Sequence, residues 1–532
     1  MVAAIQKKCV LWMDGSLFFR GILGFFNLIT HFFSGSLLVR LFTEDFDQER
    51  LQYSHFVRIA EDIFNRFPKI LRPPAGPVIP PTPLWLQGSV IARFLTESME
   101  TPIIREYEVN TVSDTPDLNF GKIPKSSKIE SLKSQGLIPW FRWIGAAFPS
   151  WGLLAVVISA PFLPTMIVAG MLVLVFASTL FRYDFKLDLT SVPLLLFIAV
   201  SLFSGFMSAA ASYSIPIAVL TTIMMSSYLL TKACFLTRRR IDFVIAAFII
   251  AAAVTALVGI FQIFTGYMHT AWVDRDLFAA LSMRIYSTFA NPNVYGTYLL
   301  LVIPLAAGCI LYAKNLWYKL LASGVTVLLL TALGLTYSRG GYIALAGAVL
   351  FFLILVERRL IVLFVAGVAA MPFVLPASVL ARLLSIVNFT DSSTIYRISI
   401  WQASLRMLGD FWMAGIGQGA EAYNSVYPFY AFSAVTALHS HNLFLQIFLE
   451  TGIVGLVAFF GILACFFRTQ FSFMRHTADF RRKILSAAMT AAVVGFLIQG
   501  TFDHSFHNYR VMLVFYLFLG IANCLTEMET ET

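Results

Sequence analysis

The chain has 532 residues, of which 58% are hydrophobic and only 13% are charged, and its mean hydropathy is +0.78. Soluble proteins carry about twice that charged fraction, so the composition excludes an ordinary soluble domain and indicates a helical protein that crosses a membrane several times. A formal charge of +9 is also found in nucleic-acid-binding proteins, but an excess of Lys and Arg in cytoplasmic loops explains it more simply. We therefore predict a bilayer partner and no nucleic acid.

The N-terminal region, residues 1–142, differs in character from the rest of the chain. Its apolar stretches, residues 17–42 and 51–70, are interrupted by polar and charged side chains, which is typical of amphipathic helices lying on a membrane face. A proline-rich linker over residues 72–83 and a polar stretch over residues 98–135 follow. We predict a cytoplasmic, membrane-surface region without a removable signal peptide.

Residues 143–532 contain about twelve apolar segments that can each cross a bilayer as a helix. The predicted fold class is an all-α polytopic membrane protein, with its transmembrane domain over residues 143–532. The predicted spans are residues 143–160, 162–181, 191–210, 214–235, 241–266, 294–313, 317–336, 341–357, 359–376, 442–467, 484–502 and 510–526.

The distribution of basic residues predicts the orientation. With residues 1–142 in the cytoplasm, the inner loops hold about twice as many Lys and Arg residues as the outer loops, and the outer loops hold no Lys. This places both termini in the cytoplasm and two long loops outside, residues 266–293 and about 376–441. Within the second loop, residues 396–408 have the pattern of an amphipathic helix that packs on the outer surface.

Three polar segments should meet at the outer interface: residues 284–293, 337–341 and 439–442. The guanidinium groups of Arg284 and Arg339 suit a diphosphate, because each offers paired donors and a permanent charge. Two alternatives stay open: Arg284 as an ordinary loop residue, and Arg339 as a side chain that reaches the outer lipid headgroups.

The third segment contains a candidate base. An imidazole can act as a base near neutral pH, so His441 can accept a proton from a hydroxyl nucleophile; the alternative is a residue that caps the next helix. Asn442 can orient its neighbour or cap that helix, and His439 is more typical of a loop residue.

Two further motifs carry weaker signals. Residues 415–419 are rich in glycine but lack the strand and the Lys of a phosphate-binding loop, so they predict a turn. Asp503, His504 and His507 could line the same cavity or form a metal cluster. Because no second carboxylate is close in sequence, we predict no metal there.

At these residues the chain resembles the O-antigen ligase and O-antigen polymerase superfamily. The ligase pattern is His, then Asn, Ser or Gln, then nine residues, Gly, two residues and a small residue, and His441, Asn442, Gly452 and Gly455 fit it. The segment around Arg284 and residues 338–341 look like the two arginine sites of the family, and the resemblance covers roughly residues 272–501.

The resemblance implies an inverting, metal-independent glycosyltransferase without a cofactor. Its donor would be a glycan on undecaprenyl diphosphate, and its acceptor a lipid, protein or glycan outside the cytoplasmic membrane. Arg284 and Arg339 would hold the diphosphate, and His441 would activate the acceptor hydroxyl or amine. Supporting roles would fall to Asn293, Ser338, His439 and Asn442.

Three alternatives to ligation stay open. A polymerase of the same superfamily would use a second carrier-linked repeat as its acceptor. A small-anion transporter, similar to putative bicarbonate transporters of the superfamily, would use the arginines as an anion path, with polar residues at mid-span. A structural scaffold would leave His441 dispensable.

Overall fold

The computed structural model describes residues 137–180, 185, 187–235, 237–266, 284–385, 392–431 and 437–527. Every element of regular structure within these residues is helical. The prediction for residues 1–142 falls almost wholly outside them, as do residues 267–283 of the first long outer loop.

The described residues form fifteen α-helices, which we number in chain order. They are α1 (Leu137–Ser159), α2 (Thr165–Leu180), α3 (Ser191–Met207), α4 (Ala211–Cys234), α5 (Arg238–Thr265), α6 (Pro292–Tyr312), α7 (Leu316–Leu335), α8 (Arg339–Val356), α9 (Ile361–Val374), α10 (Ala377–Leu384), α11 (Ser392–Phe411), α12 (Ala420–Val426), α13 (Leu443–His476), α14 (Phe480–Gly500) and α15 (Tyr509–Glu527).

Each of the twelve predicted spans coincides with one of these helices, α1 to α9 and α13 to α15. Eight helices of the described chain, α4 to α8 and α13 to α15, are long and apolar enough to cross a membrane. The part Phe148–Ser159 of α1 and the helices α2 and α3 are shorter apolar helices. The protein is therefore a multi-pass membrane protein. The total of twelve spans and the orientation stay predictions.

The centre of the bundle is formed by α6, α14 and α15. Every side chain of α15 from Val511 to Leu525 is buried. Small residues allow close approach of the helices: a Cβ on Gly308 of α6 would lie 2.7 Å from the Cβ of Ala488 on α14. This packing holds the ends of these helices, and the side chains at those ends, in fixed positions.

Helices α6, α8 and α13 begin at one end of the bundle, which we call the site end. They meet the last turns of neighbouring helices there: the backbone N–H of Ile285 donates to the carbonyl of Leu335 at the end of α7, and Asn442 donates to the carbonyl of Thr501 after α14. Helices α10 to α12, within the long loop that precedes α13, also contact this end.

The amphipathic helix predicted over residues 396–408 is confirmed as part of α11. Its Ile400, Ala403 and Met407 side chains are fully buried in a small core that also contains Tyr423 of α12 and Leu449 of α13. Because this core attaches α11 to α13, the loop helix is fixed beside the start of α13.

Candidate active site

Polar side chains cap the three helices that begin at the site end. Asn291, Ser338 and Asn442 each accept a hydrogen bond from a backbone N–H two or three residues further on, at 2.8, 3.3 and 2.9 Å. The partial positive charge of a helix N-terminus favours anions. Ser338 and Asn442, which we predicted as supporting residues, thus fix the helix starts.

The backbone of the site is held in an unfavourable conformation. The described residues include four non-glycine residues in the left-handed region: Ser287 (φ 52°), Ala290 (59°), Tyr337 (49°) and His441 (51°). All four lie in the three polar segments identified from the sequence. Such conformations cost about 1–3 kcal/mol each and persist where surrounding structure imposes them, often at functional sites.

Arg284 joins the first two polar segments. Its Nε donates to the carbonyl of Thr336 at 2.8 Å, and its Nη2 donates to Oδ1 of Asn293 at 3.0 Å. Asn293 therefore positions a guanidinium group. Arg339 donates from Nη1 to the carbonyl of Ser385, after α10, at 3.3 Å. These acceptors are neutral, so they orient the guanidinium groups without cancelling their charge.

Two more arginines act on Arg284. Arg382 of α10 donates from Nε to the carbonyl of Tyr337 at 3.2 Å. Burial, together with the positive charges of Arg382, Arg397 and Arg339, lowers the pKa of Arg284 to about 10, which leaves it charged at neutral pH. Arg382 and Arg397 both lie in the second long outer loop predicted from the sequence, where no local pattern indicated a part in the site.

His441 is paired with a carboxylate. Its Nδ1 lies 3.0 Å from Oδ1 of Asp503, which is buried in the turn between α14 and α15. Burial alone would raise the pKa of Asp503, but the hydrogen bond from His441 and the charge of Arg397 hold that pKa well below its usual range. An ionised Asp503 is only an acceptor, so Nδ1 of His441 carries the proton and Nε2 is left as a base.

His439 packs against His441. Its Nδ1 accepts a hydrogen bond from the backbone N–H of His441 at 3.3 Å, and the two rings lie 4.2 Å apart. Burial, then the neighbouring His507 and His441, lower the pKa of His439 to about 3, so its imidazole is neutral. The ring of Tyr396 on α11 approaches His441 from another side, at 6.1 Å.

A second set of hydrogen bonds supports the backbone of the histidine segment. Oε1 of Gln446 accepts from the N–H of Ser440 at 2.7 Å, and Nε2 of Gln446 donates to Glu450 at 3.0 Å. Glu450 also accepts from the N–H of Gly419 at 3.2 Å, which joins the glycine-rich loop to α13. Gln446 and Glu450 carried no signal in the sequence beyond their place in an apolar span.

Helix α13 is kinked at Gly452 (φ 67°, ψ −172°). Residues 412–416, which lead into the glycine-rich loop, occupy the break: the N–H of Ile416 donates to the carbonyl of Leu449, and the N–H of Ile453 donates to the carbonyl of Trp412, both at 2.8 Å. A Cβ on residue 452 would lie 2.1 Å from the carbonyl oxygen of Met413, so only glycine fits. Residues 415–419 form the predicted turn, and the turn is part of the site's support.

The fold and the site define a class: a multi-pass helical membrane protein with partly buried arginines and a His–Asp pair at one end. Residues 324–460 match the family model described as O-Antigen ligase, so the chain contains a domain of this family. The matched part includes Arg339 and His441, whereas Arg284 and Asp503 lie outside it and join the site through the fold. No curated protein matches the chain.

Proposed function

We propose that this protein transfers a glycan from undecaprenyl diphosphate to an acceptor hydroxyl or amine at the outer face of the cytoplasmic membrane. The O-antigen ligase domain supports a lipid-linked glycan as the substrate class. The observation that carries the proposal is the 3.0 Å contact between His441 and the buried Asp503 at the site end. The distribution of Lys and Arg supports the assignment of that end to the outer face.

The arginines would bind the diphosphate of the donor. The positive charges of Arg339, Arg382 and Arg397 act on Arg284, and an anion bound among these side chains would relieve that repulsion. The same charges stabilise the diphosphate as it leaves, when its negative charge increases. Because the guanidinium groups supply this positive charge, the proposed reaction needs neither a metal ion nor a cofactor.

His441 would accept the proton of the acceptor. The acceptor oxygen attacks C1 of the donor sugar, the bond from C1 to the diphosphate oxygen breaks, and Nε2 of His441 takes the hydroxyl proton. Asp503 keeps Nδ1 protonated and stabilises the imidazolium that forms. A single displacement of this kind inverts the configuration at C1.

Packing beneath the site favours transfer over anion transport. Phe459, Phe496, Phe506 and Phe515 form a cluster directly below the turn that holds Asp503, with ring centroids 4.5 to 6.5 Å apart. A path for a hydrated anion requires polar or open surface there.

The test is the loss of His441 in cells that carry the cognate glycan. His441→Ala should abolish surface glycan attachment and cause the lipid-linked precursor to accumulate, with a fall in transfer on the order of 10²–10⁴-fold. Asp503→Asn should show the same loss with normal insertion. His476→Ala, which changes an exposed histidine at the other end of α13, is the matched control.

Normal attachment in the His441→Ala strain would disprove the catalytic role. The product also distinguishes ligase from polymerase: loss of a polymerase leaves single repeat units attached, whereas loss of a ligase leaves none.

A further inference from the structure

Half of the eight histidines of the chain lie in one cluster at the site end, beside a carboxylate. The ring of His439 lies 4.2 Å from that of His441, 4.9 Å from that of His507 and 5.5 Å from that of His504. One ligand atom each from His439, His441 and Asp503 lie within 4.8 Å of one another. The cluster thus has five groups, the four histidines and Asp503. A base and the carboxylate that orients it account for only two of them, His441 and Asp503.

Hydrogen bonding within the cluster determines which imidazole nitrogens are available to a ligand. Nδ1 of His439 accepts the backbone N–H of His441, so Nε2 is the atom available as a ligand. Nδ1 of His504 is buried without a hydrogen-bond partner in the described part of the chain, which costs about 1–3 kcal/mol unless some ligand or water satisfies it.

The donor set selects the type of ion. Mg²⁺ and Ca²⁺ require about six or more oxygen ligands, and this cluster offers one carboxylate. Two imidazoles and a carboxylate suit Zn²⁺ and the neighbouring late transition metals. Tetrahedral Zn²⁺ places its ligand atoms about 3.3 Å apart, close to the 3.0 Å between Nδ1 of His441 and Oδ1 of Asp503. The nearby arginines oppose any cation, so only an ion with high affinity for imidazole should bind.

We propose that His439, His441 and Asp503 form an inhibitory site for a late first-row divalent cation such as Zn²⁺. Coordination through Nδ1 of His441 replaces the hydrogen bond to Asp503. The single proton of the neutral imidazole then lies on Nε2, so Nε2 can no longer accept the proton of the acceptor. The inhibition rests on the proposed function, because it requires His441 to act as the base; the binding site itself does not. Zn²⁺ is therefore a competitor of the reaction and not its cofactor.

Binding is measured on the full chain purified in detergent micelles, without glycan substrates. Zn²⁺ titrated against a chromophoric chelator should bind with one equivalent that excess Mg²⁺ does not displace, and Co²⁺ in its place should show the absorption bands of four- or five-coordinate cobalt. His439→Ala should weaken Zn²⁺ binding by more than about tenfold, because the loss of a ligand costs at least as much as the loss of a residue that only orients a ligand. His476→Ala should bind as the unmodified protein does.

Several outcomes would overturn the proposal. They are the absence of a one-equivalent site, six-coordinate cobalt bands, or equal Zn²⁺ affinity in the His439→Ala and unmodified proteins. Asp503→Asn, checked for monodisperse elution, provides a second variant in case His439→Ala fails to fold.

In the transfer assay, Zn²⁺ should inhibit and a chelator should restore activity; Zn²⁺ binding with undiminished transfer would overturn the inhibitory role. Failure of the proposed function appears separately, as normal transfer by His441→Ala.

Discussion

Charged side chains lie within the helix bundle at both of its ends, but the groups that surround them differ. At the end opposite the site, Lys232 of α4 contacts two carboxylates, Asp188 at 3.3 Å and Glu527. At the site end, Arg284 is held by a backbone carbonyl and an amide oxygen, and the neighbouring charges that act on it include three further arginines.

Neutral groups complete the network at the opposite end. The hydroxyl of Tyr228 donates to Asp188 at 2.6 Å, and Nδ2 of Asn523 donates to Asp188 and to Tyr228. Nε2 of Gln470, on α13, donates in turn to Oδ1 of Asn523 at 2.9 Å. A buried charge that is matched in this way holds helices together, whereas a group of like charges oriented by neutral acceptors is suited to a ligand of opposite charge.

The largest effect should come from removing the lysine of the matched network. Lys232→Met leaves the largely buried carboxylate of Asp188 without its cation and should lower the free energy of unfolding by about 3–5 kcal/mol. Thermal unfolding in detergent measures this loss, with Lys319→Met on the exposed face of α7 as the control. Transfer per folded molecule should be unchanged. A stable Lys232→Met protein that has lost activity would reverse the assignment of the two ends.

Removing an arginine from the site should have the opposite effect: it should lower activity and leave stability unreduced. Arg284→Gln should reduce transfer on the order of 10²–10³-fold, the range for losing one donor to a developing negative charge. Its thermal stability should be equal or higher, because mutual repulsion among the arginines falls. Arg359→Gln, an exposed arginine after α8, is the control. Unfolding of Arg284→Gln without loss of specific activity would show that the arginines are structural.

The smallest effects are expected from substituting two glutamines of α13, and only one of the two substitutions should reduce activity. Gln446→Leu removes the acceptor of the Ser440 N–H and should reduce transfer about tenfold, because the base is displaced and not removed. Gln470→Leu, at the opposite end of α13, should leave transfer per folded molecule unchanged. Each should cost about 1–3 kcal/mol of stability, measured by thermal unfolding. Equal activity in the two variants would contradict a positioning role for Gln446.

The helices were the most predictable part of this protein. Backbone groups inside a bilayer must be satisfied within the same segment, so an apolar run of sufficient length is itself evidence for a helix. The three polar segments were predictable for a related reason: polar residues at the ends of such runs are conspicuous. Arg284, Arg339 and His441 were selected from their own surroundings in the sequence, and the structure places all three at the site end.

Long-range partners could not be predicted in the same way. Asp503 lies 62 residues from His441, and the sequence placed it near the cavity without assigning a partner. Arg382 and Arg397 belong to the loop helices, whose positions depend on the core formed with α13. That core is set by packing between distant side chains, and no local pattern encodes it.

The break in α13 has a mechanical consequence. Residues 412–417 make backbone hydrogen bonds on both sides of Gly452, to Leu449 and to Ile453, so they brace the break, and residues 443–451 form one rigid body whose angle is set at the glycine. Nine helical residues give this body a length of about 14 Å. A rotation of about 10° at Gly452 would therefore displace the start of the helix, and His441 beside it, by roughly 2.5 Å. The number of residues between His441 and Gly452 therefore determines how far the histidine moves. A small change of the helix angle at Gly452 displaces the imidazole by nearly the length of a hydrogen bond.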